Sequence, residues 1–146
     1  GIDTADFSGT VGITLSLALG GAQTTGVGTD TITAIENVIS GSAADRLTGN
    51  AQDNTLVAGA GNDTLTGGAG DDRLDGGAGV DTADFAGATA VTVDLGIATA
   101  QDTGVGNDTL AGIENLTGGS GNDTLTGNGG NNALNGAAGN DTLIGG

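Results

Sequence analysis

The chain has no Cys, Pro, Met, Trp, Tyr, His or Lys, and its only aromatics are Phe7 and Phe85. Without Cys it has neither disulfides nor thiolate metal sites, and without His it lacks the usual imidazole ligand and general base. Ser8, Ser16, Ser40, Ser42 and Ser120 therefore have no partner that would make a nucleophile of them. No apolar run approaches the roughly 20 residues of a membrane-spanning helix, and no secretory signal peptide opens the chain. Lacking Met at its start, the chain reads as part of something longer.

Positive charge is scarce as well. Arg46 and Arg73 stand against 18 Asp plus Glu, a net charge of −16, which makes nucleic acid and anionic membrane poor partners and cations good ones. Divalent ions would balance that charge at about eight per chain. With 32 Gly and little large apolar surface, the composition alone points toward disorder, since ordering costs about 1 to 2 kcal/mol of backbone entropy per residue. Strict periodicity points the other way, to a chain whose order depends on a ligand.

That periodicity is nine residues. It is plainest as AGAGNDTLT at 58–66 and GGAGDDRLD at 67–75, with further units at 40–48, 49–57, 76–84, 118–126, 127–135 and 136–144, and partial ones at 25–33 and 103–111. A longer repeat overlies it: residues 1–68 and 79–146 align without a gap and agree at 37 of 68 positions, so the chain divides into a cassette at 1–78 and an incomplete one at 79–146 within one continuous solenoid. Each unit joins a glycine turn to a short extended Asp-x-Leu-x segment whose apolar residue points inward. Two units would complete one coil of a flattened parallel solenoid. Ile32, Leu47, Leu56, Leu65, Leu74, Leu110, Leu125, Leu134 and Leu143, with Ala83 as the exception, would form apolar ladders between two sheets. Tandem antiparallel hairpins are the competing architecture, but strands this short would make a weak meander.

Position six of the unit is Asp30, Asp45, Asp63, Asp72, Asp81, Asp108, Asp123 and Asp141, with Asn54 and Asn132 as departures, and Asp3 aligns with Asp81. Units two apart should stack, placing Asp30, Asp45, Asp63 and Asp81 on one edge and Glu36, Asn54 and Asp72 on the other. Carboxylates stacked at strand spacing repel by about 1 kcal/mol per pair in water and more when desolvated. Calcium fits between them as a hard ion taking six to eight oxygens in flexible geometry, whereas magnesium demands near-octahedral ligands and keeps its waters. An isolated Gly-Asn-Asp-Thr would be only a turn; repetition in register is what favours metal sites.

Between the arrays, Phe7 with Ile13, Leu15 and Leu17, and Phe85 with Val91, Val93 and Leu95, read as the core of a wider coil. AIENVI and GIENLT look like coils whose turn is deleted, with Glu36 and Glu114 either replacing a metal site or facing solvent.

The nonapeptides and the order DTADFSG, VTVDL, GVGTDT, IENV, GSAADRLTG resemble the RTX repeat regions of large secreted bacterial proteins, over essentially the whole chain. The resemblance implies an all-β, right-handed parallel β-roll with calcium between successive turns, unfolded in calcium-poor cytoplasm, exported by a type I route from a Gram-negative bacterium, and folded at the cell surface or outside. It also implies the ligands: the position-six residues Asp3, Asp30, Asp45, Asp63, Asp72, Asp81, Asp108, Asp123 and Asp141, with the turn carbonyls of Gly59, Gly61, Gly68, Gly70, Gly77, Gly79, Gly119, Gly121 and Gly139. Asn54 and Asn132 depart from the pattern and should weaken calcium on their edge.

The expected function is a calcium-stiffened extracellular structural module of an adhesin, surface layer or filament, joined end to end to copies of itself or to further repeats. The alternative is the secretion and folding-assistance region of an exported enzyme or toxin whose active domain lies elsewhere. Catalysis within the chain is not expected, because Asp71 and Asp72, the most dyad-like pair, sit inside a repeat template. Ice binding would want outward Thr where Ala60, Ala69, Ala78 and Ala138 stand.

Overall fold

The computed structural model describes residues 1–146 and contains strands and turns but no helix; correspondingly, no helix is long and apolar enough to cross a membrane. Most strands are three residues long because the glycine turns of each nonapeptide leave only the Asp-x-Leu-x part free to extend. Val38, Leu56 and Leu74 lie at the centres of Asn37–Ile39, Thr55–Val57 and Arg73–Asp75, which pair in parallel and in register. Thr4–Asp6 extends that sheet at one side and Asn107–Ala111 at the other. The facing sheet runs Ala133–Asn135, Asn115–Thr117, Thr82–Asp84, Thr64–Thr66, Arg46–Thr48 and Thr14–Ser16, all parallel. A further parallel set joins Thr92–Asp94, Thr124–Thr126 and Thr142–Ile144. Successive strands of the chain alternate between sheets, so the molecule is a parallel β-roll.

Each inward Leu stacks on the apolar residue of the next coil. Leu56 faces Leu74 and Leu74 faces Leu110; across the core, Leu47 faces Leu65 and Leu65 faces Ala83. These side chains are buried, together with Ile13, Leu15, Val91, Val93 and Phe85, while Phe7, Leu17 and Leu95 pack against them partly exposed. The apolar ladder is one residue wide in each strand, which explains why burial alone, at roughly 2 kcal/mol per Leu, falls short of the cost of ordering nine residues.

The stretches between arrays contribute a feature the repeat pattern does not announce. Ala22–Thr24 pairs antiparallel with Thr29–Thr31, and Gln101–Asp102 with Asn107–Ala111. Gln23 accepts the main-chain N–H of Ser16 at 2.8 Å and donates to its carbonyl at 2.7 Å; Gln101 does the same to Asp94 at 2.8 and 2.9 Å. A side-chain amide thus completes the ladder where the backbone departs.

Candidate metal centre

The turns of alternate units stack on two edges of the roll, and the position-six side chains bind them together. Asp45 Oδ1 accepts the N–H of Ile13 at 2.7 Å, Asp63 Oδ1 that of Asp45 at 2.8 Å, and Asp81 Oδ1 that of Asp63 at 2.7 Å. On the other edge Asp72 Oδ1 accepts from Asn54 at 2.8 Å and Asp108 Oδ1 from Asp72 at 2.9 Å. Farther along, Asp123 accepts from Val91 at 2.8 Å and Asp141 from Asp123 at 3.0 Å. One oxygen of each carboxylate is therefore consumed in joining coils.

The other oxygen is the chemically informative one. Asp63, Asp72 and Asp81 are 1%, 3% and 0% exposed, and the Oδ2 of each is buried with no hydrogen-bond partner. A buried unpaired carboxylate oxygen costs several kcal/mol unless a cation or proton meets it. Burial accordingly raises Asp72 to about 7, against the opposing effect of the Asn54 N–H, with Asp108, Asp53 and Asp71 pushing it further up. Burial is also the largest cause of the upward shifts at Asp63, Asp81 and Asp108.

At Asp72 and Asp81 the glycine at position one makes room for this oxygen; in the Asp63 unit that position is Ala58. A methyl placed on Gly76 would lie 2.7 Å from Asp81 Oδ2 and overlap the carbonyl of Gly112; one on Gly67 would overlap Asp72 Oδ2. A carboxylate oxygen and a carbonyl of the neighbouring turn thus border the same small space. No three acidic side chains converge on one point, so carboxylates alone form no cage. An all-oxygen set of buried carboxylate and main-chain carbonyls fits a large, hard divalent cation, and calcium tolerates its irregular geometry.

The remaining position-six residues are held differently. Asp30 shares the edge of Asp45, but the Gly12–Ile13 turn stands between them: Gly26 faces Gly12 O, and Gly12 faces Ala44 O. Asp3 is exposed, and its N–H donates to Glu36 Oε2 at 2.8 Å, just as the Asp81 N–H donates to Glu114 Oε2 at 2.8 Å. Glu36 and Glu114 thus do the joining work of a position-six Asp, their longer arms compensating for the shortened turn. Asn54 and Asn132 lie on opposite edges, each following a Glu turn. Among the glycines whose carbonyls the sequence nominates, Gly59, Gly61, Gly68, Gly70, Gly77, Gly79 and Gly139 have positive φ, and Gly119 and Gly121 do not.

A parallel β-roll with acid-lined glycine turns stacked in columns defines a class of metal-stabilised repeat folds. The RTX calcium-binding nonapeptide repeat matches residues 36–64, 48–83 and 108–143, more than half of the chain, and the chain belongs to that family. It is a calcium-binding repeat module that takes several calcium ions. Comparison with curated proteins finds no match.

Proposed function

We propose that the chain is an extracellular structural module, a calcium-stiffened building block of an adhesin, surface layer or filament, without catalysis of its own. The observation that carries this reading is the set of buried unpartnered oxygens on Asp63, Asp72 and Asp81, placed where a divalent ion rigidifies the roll. In calcium-poor cytoplasm these carboxylates oppose folding and favour export as an unfolded chain; calcium outside removes the opposition. The all-oxygen donor set and the charge of −16 favour calcium as the partner over nucleic acid or an anionic membrane.

The internal joint also supports continuation end to end. Thr82–Asp84, which begins the second cassette, pairs with Thr64–Thr66 with Thr82 opposite Thr64 and Ala83 opposite Leu65. Thr142–Ile144 repeats the place of Thr64–Thr66 one cassette later, and its Leu143 and Ile144 are exposed. A Thr4–Asp6 strand from a following cassette, on the same chain or on another copy, fits that edge in the same register. Such a contact is heterologous and extends rather than closes.

Sedimentation velocity in millimolar calcium tests the assembly: the reading expects species that grow with concentration and revert on chelation, and a sharp monomer at every concentration counts against stacking of separate copies. Flanking sequence tests the role itself. Many further cassettes support the structural reading, and an adjoining catalytic domain supports the export-module alternative.

A further inference from the structure

The buried unpartnered carboxylate oxygens lie in three consecutive turns, 58–63, 67–72 and 76–81. These turns share a backbone: residues two and four are both left-handed, as in Gly59 and Gly61 with φ of +101° and +140°. The turn 136–141 has the same pair of signs, at Ala137 and Gly139, and its Asp141 lies partly open to solvent.

At the remaining position-six residues, the exposed Asp3 apart, the side chain makes a further hydrogen bond within the chain. In 40–45 and 118–123, residue two is not left-handed, and the N–H groups of Gly41 and Gly119 donate to Asp45 Oδ2 at 3.3 Å and Asp123 Oδ2 at 2.7 Å. After each short Glu turn an Asn takes the place of Asp, and its amide donates to a carbonyl of that turn: Asn54 to Glu36 O and Asn132 to Glu114 O, both at 2.8 Å. Within each antiparallel hairpin the donor is a fully buried hydroxyl, Thr25 to Asp30 Oδ2 at 2.6 Å and Thr103 to Asp108 Oδ2.

We propose that calcium is held at the open turns carrying Asp63, Asp72 and Asp81, and that the cassette joints are closed without metal by Thr25, Thr103, Asn54 and Asn132, so that Asp30 and Asp108 are not calcium ligands. The inference rests on the calcium reading above and specifies where it applies. A donor hydrogen resting on the second carboxylate oxygen brings positive charge to the spot an ion would occupy and fills the space it needs. At Asn54 and Asn132 the amide hydrogen likewise bridges directly to the carbonyl of the turn before it, leaving no gap between the two. The joints interrupt the nine-residue register, and there an internal donor stands where an ion would otherwise sit.

Asp72 and Asp108 provide the test, because they are adjacent on one column, with the Asp72 N–H on Asp108 Oδ1. Asn retains that acceptor at either position. Bound calcium is counted by equilibrium dialysis with calcium-45 at saturating calcium on the full chain. Asp108→Asn is expected to keep the full count and Asp72→Asn to lose at least one ion. Thr103→Val is expected to keep the count while unfolding at lower urea in saturating calcium, the signature of a structural donor. Should Asp72→Asn fail to fold, Asp63→Asn replaces it, and Asp108→Asn still decides. Loss of an ion in Asp108→Asn overturns the partition while leaving the calcium reading intact; a wild-type chain that binds no calcium overturns both.

Discussion

Asp63 accepts the main-chain N–H of Asp45 at 2.8 Å through one carboxylate oxygen, while its other oxygen is buried and meets nothing in the chain. The same side chain therefore both links coils and leaves a charge to be neutralised. Its own N–H in turn lies on Asp81, so the column passes the arrangement along.

Replacing Asp63 removes both roles at once. Asp63→Ala orphans the Asp45 N–H, at a cost of about 1 to 3 kcal/mol, and deletes the oxygen proposed to face calcium. It is expected to raise the calcium midpoint of folding about tenfold or more, and more than Asn54→Ala, whose lost hydrogen bonds to Asn50 and Glu36 involve no ion. Calcium titrations of the two variants followed by circular dichroism check this; equal midpoints contradict it.

Glycines of the nonapeptide turns differ in what they tolerate from glycines elsewhere in the chain. Gly59 has φ of +101°, and a methyl on it would overlap the Gly41 carbonyl, whereas a methyl on Gly87 meets nothing within 4 Å. Gly59→Ala is expected to lose at least the roughly 1 to 2 kcal/mol of a left-handed alanine plus the overlap. Gly87→Ala is expected to leave the urea midpoint in calcium nearly unchanged. A Gly59→Ala protein as stable as wild type would mean the turn is built differently.

The apolar ladder should be graded from middle to end. Leu65 is fully buried and Leu143 is 47% exposed. Leu65→Ala should cost about 2 to 5 kcal/mol, in line with core truncations elsewhere, and Leu143→Ala well under half of that. Urea unfolding in saturating calcium measures both.

Acid should stabilise the metal-free chain. Asp72 titrates at about 7 in the fold against an ordinary 3.8, and Asp63, Asp81 and Asp108 are shifted the same way, in each case with burial as the largest cause. Between those values the folded chain binds more protons than the unfolded one. Its contribution to stability is thus complete below 3.8 and is lost as pH rises through about 7. In chelator, β structure is expected to be greater at about pH 5 than at about pH 8, and calcium binding near neutrality should release protons. A chelated chain more ordered at the alkaline end contradicts this.

Much of this was legible in the sequence because each nonapeptide is a local object. Leu47, Leu56, Leu65 and Leu74 recur at a spacing that only one inward face satisfies, and the columns Asp45, Asp63, Asp81 and Glu36, Asn54, Asp72 follow from stacking every second unit. The joints were not legible, because their partners are set by which turn meets which across the non-repetitive stretches. Thr103 and Asp108 are five residues apart but meet through an antiparallel hairpin that no periodicity predicts. Glu36 had two open readings, metal substitute or solvent-facing residue, and its contact with the Asp3 N–H spans 33 residues. Asn54 and Asn132 carried a usable signal, since each lies 18 residues after a Glu, but the pattern alone marked them as weaker ligands and not as direct bridges to a carbonyl.

The most direct test of the central claim, that calcium completes this fold, is far-ultraviolet circular dichroism of the chain during a calcium titration starting from excess chelator at neutral pH. Each site filled at a hundredfold excess over its Kd adds about 2.7 kcal/mol to the folded state, and several acting together should carry the chain from unordered to folded in one cooperative step. The expected spectrum is unordered in chelator and becomes β-type as calcium enters the millimolar range; a β-type spectrum already complete in chelator and unchanged by calcium would mean that the fold does not need the ion.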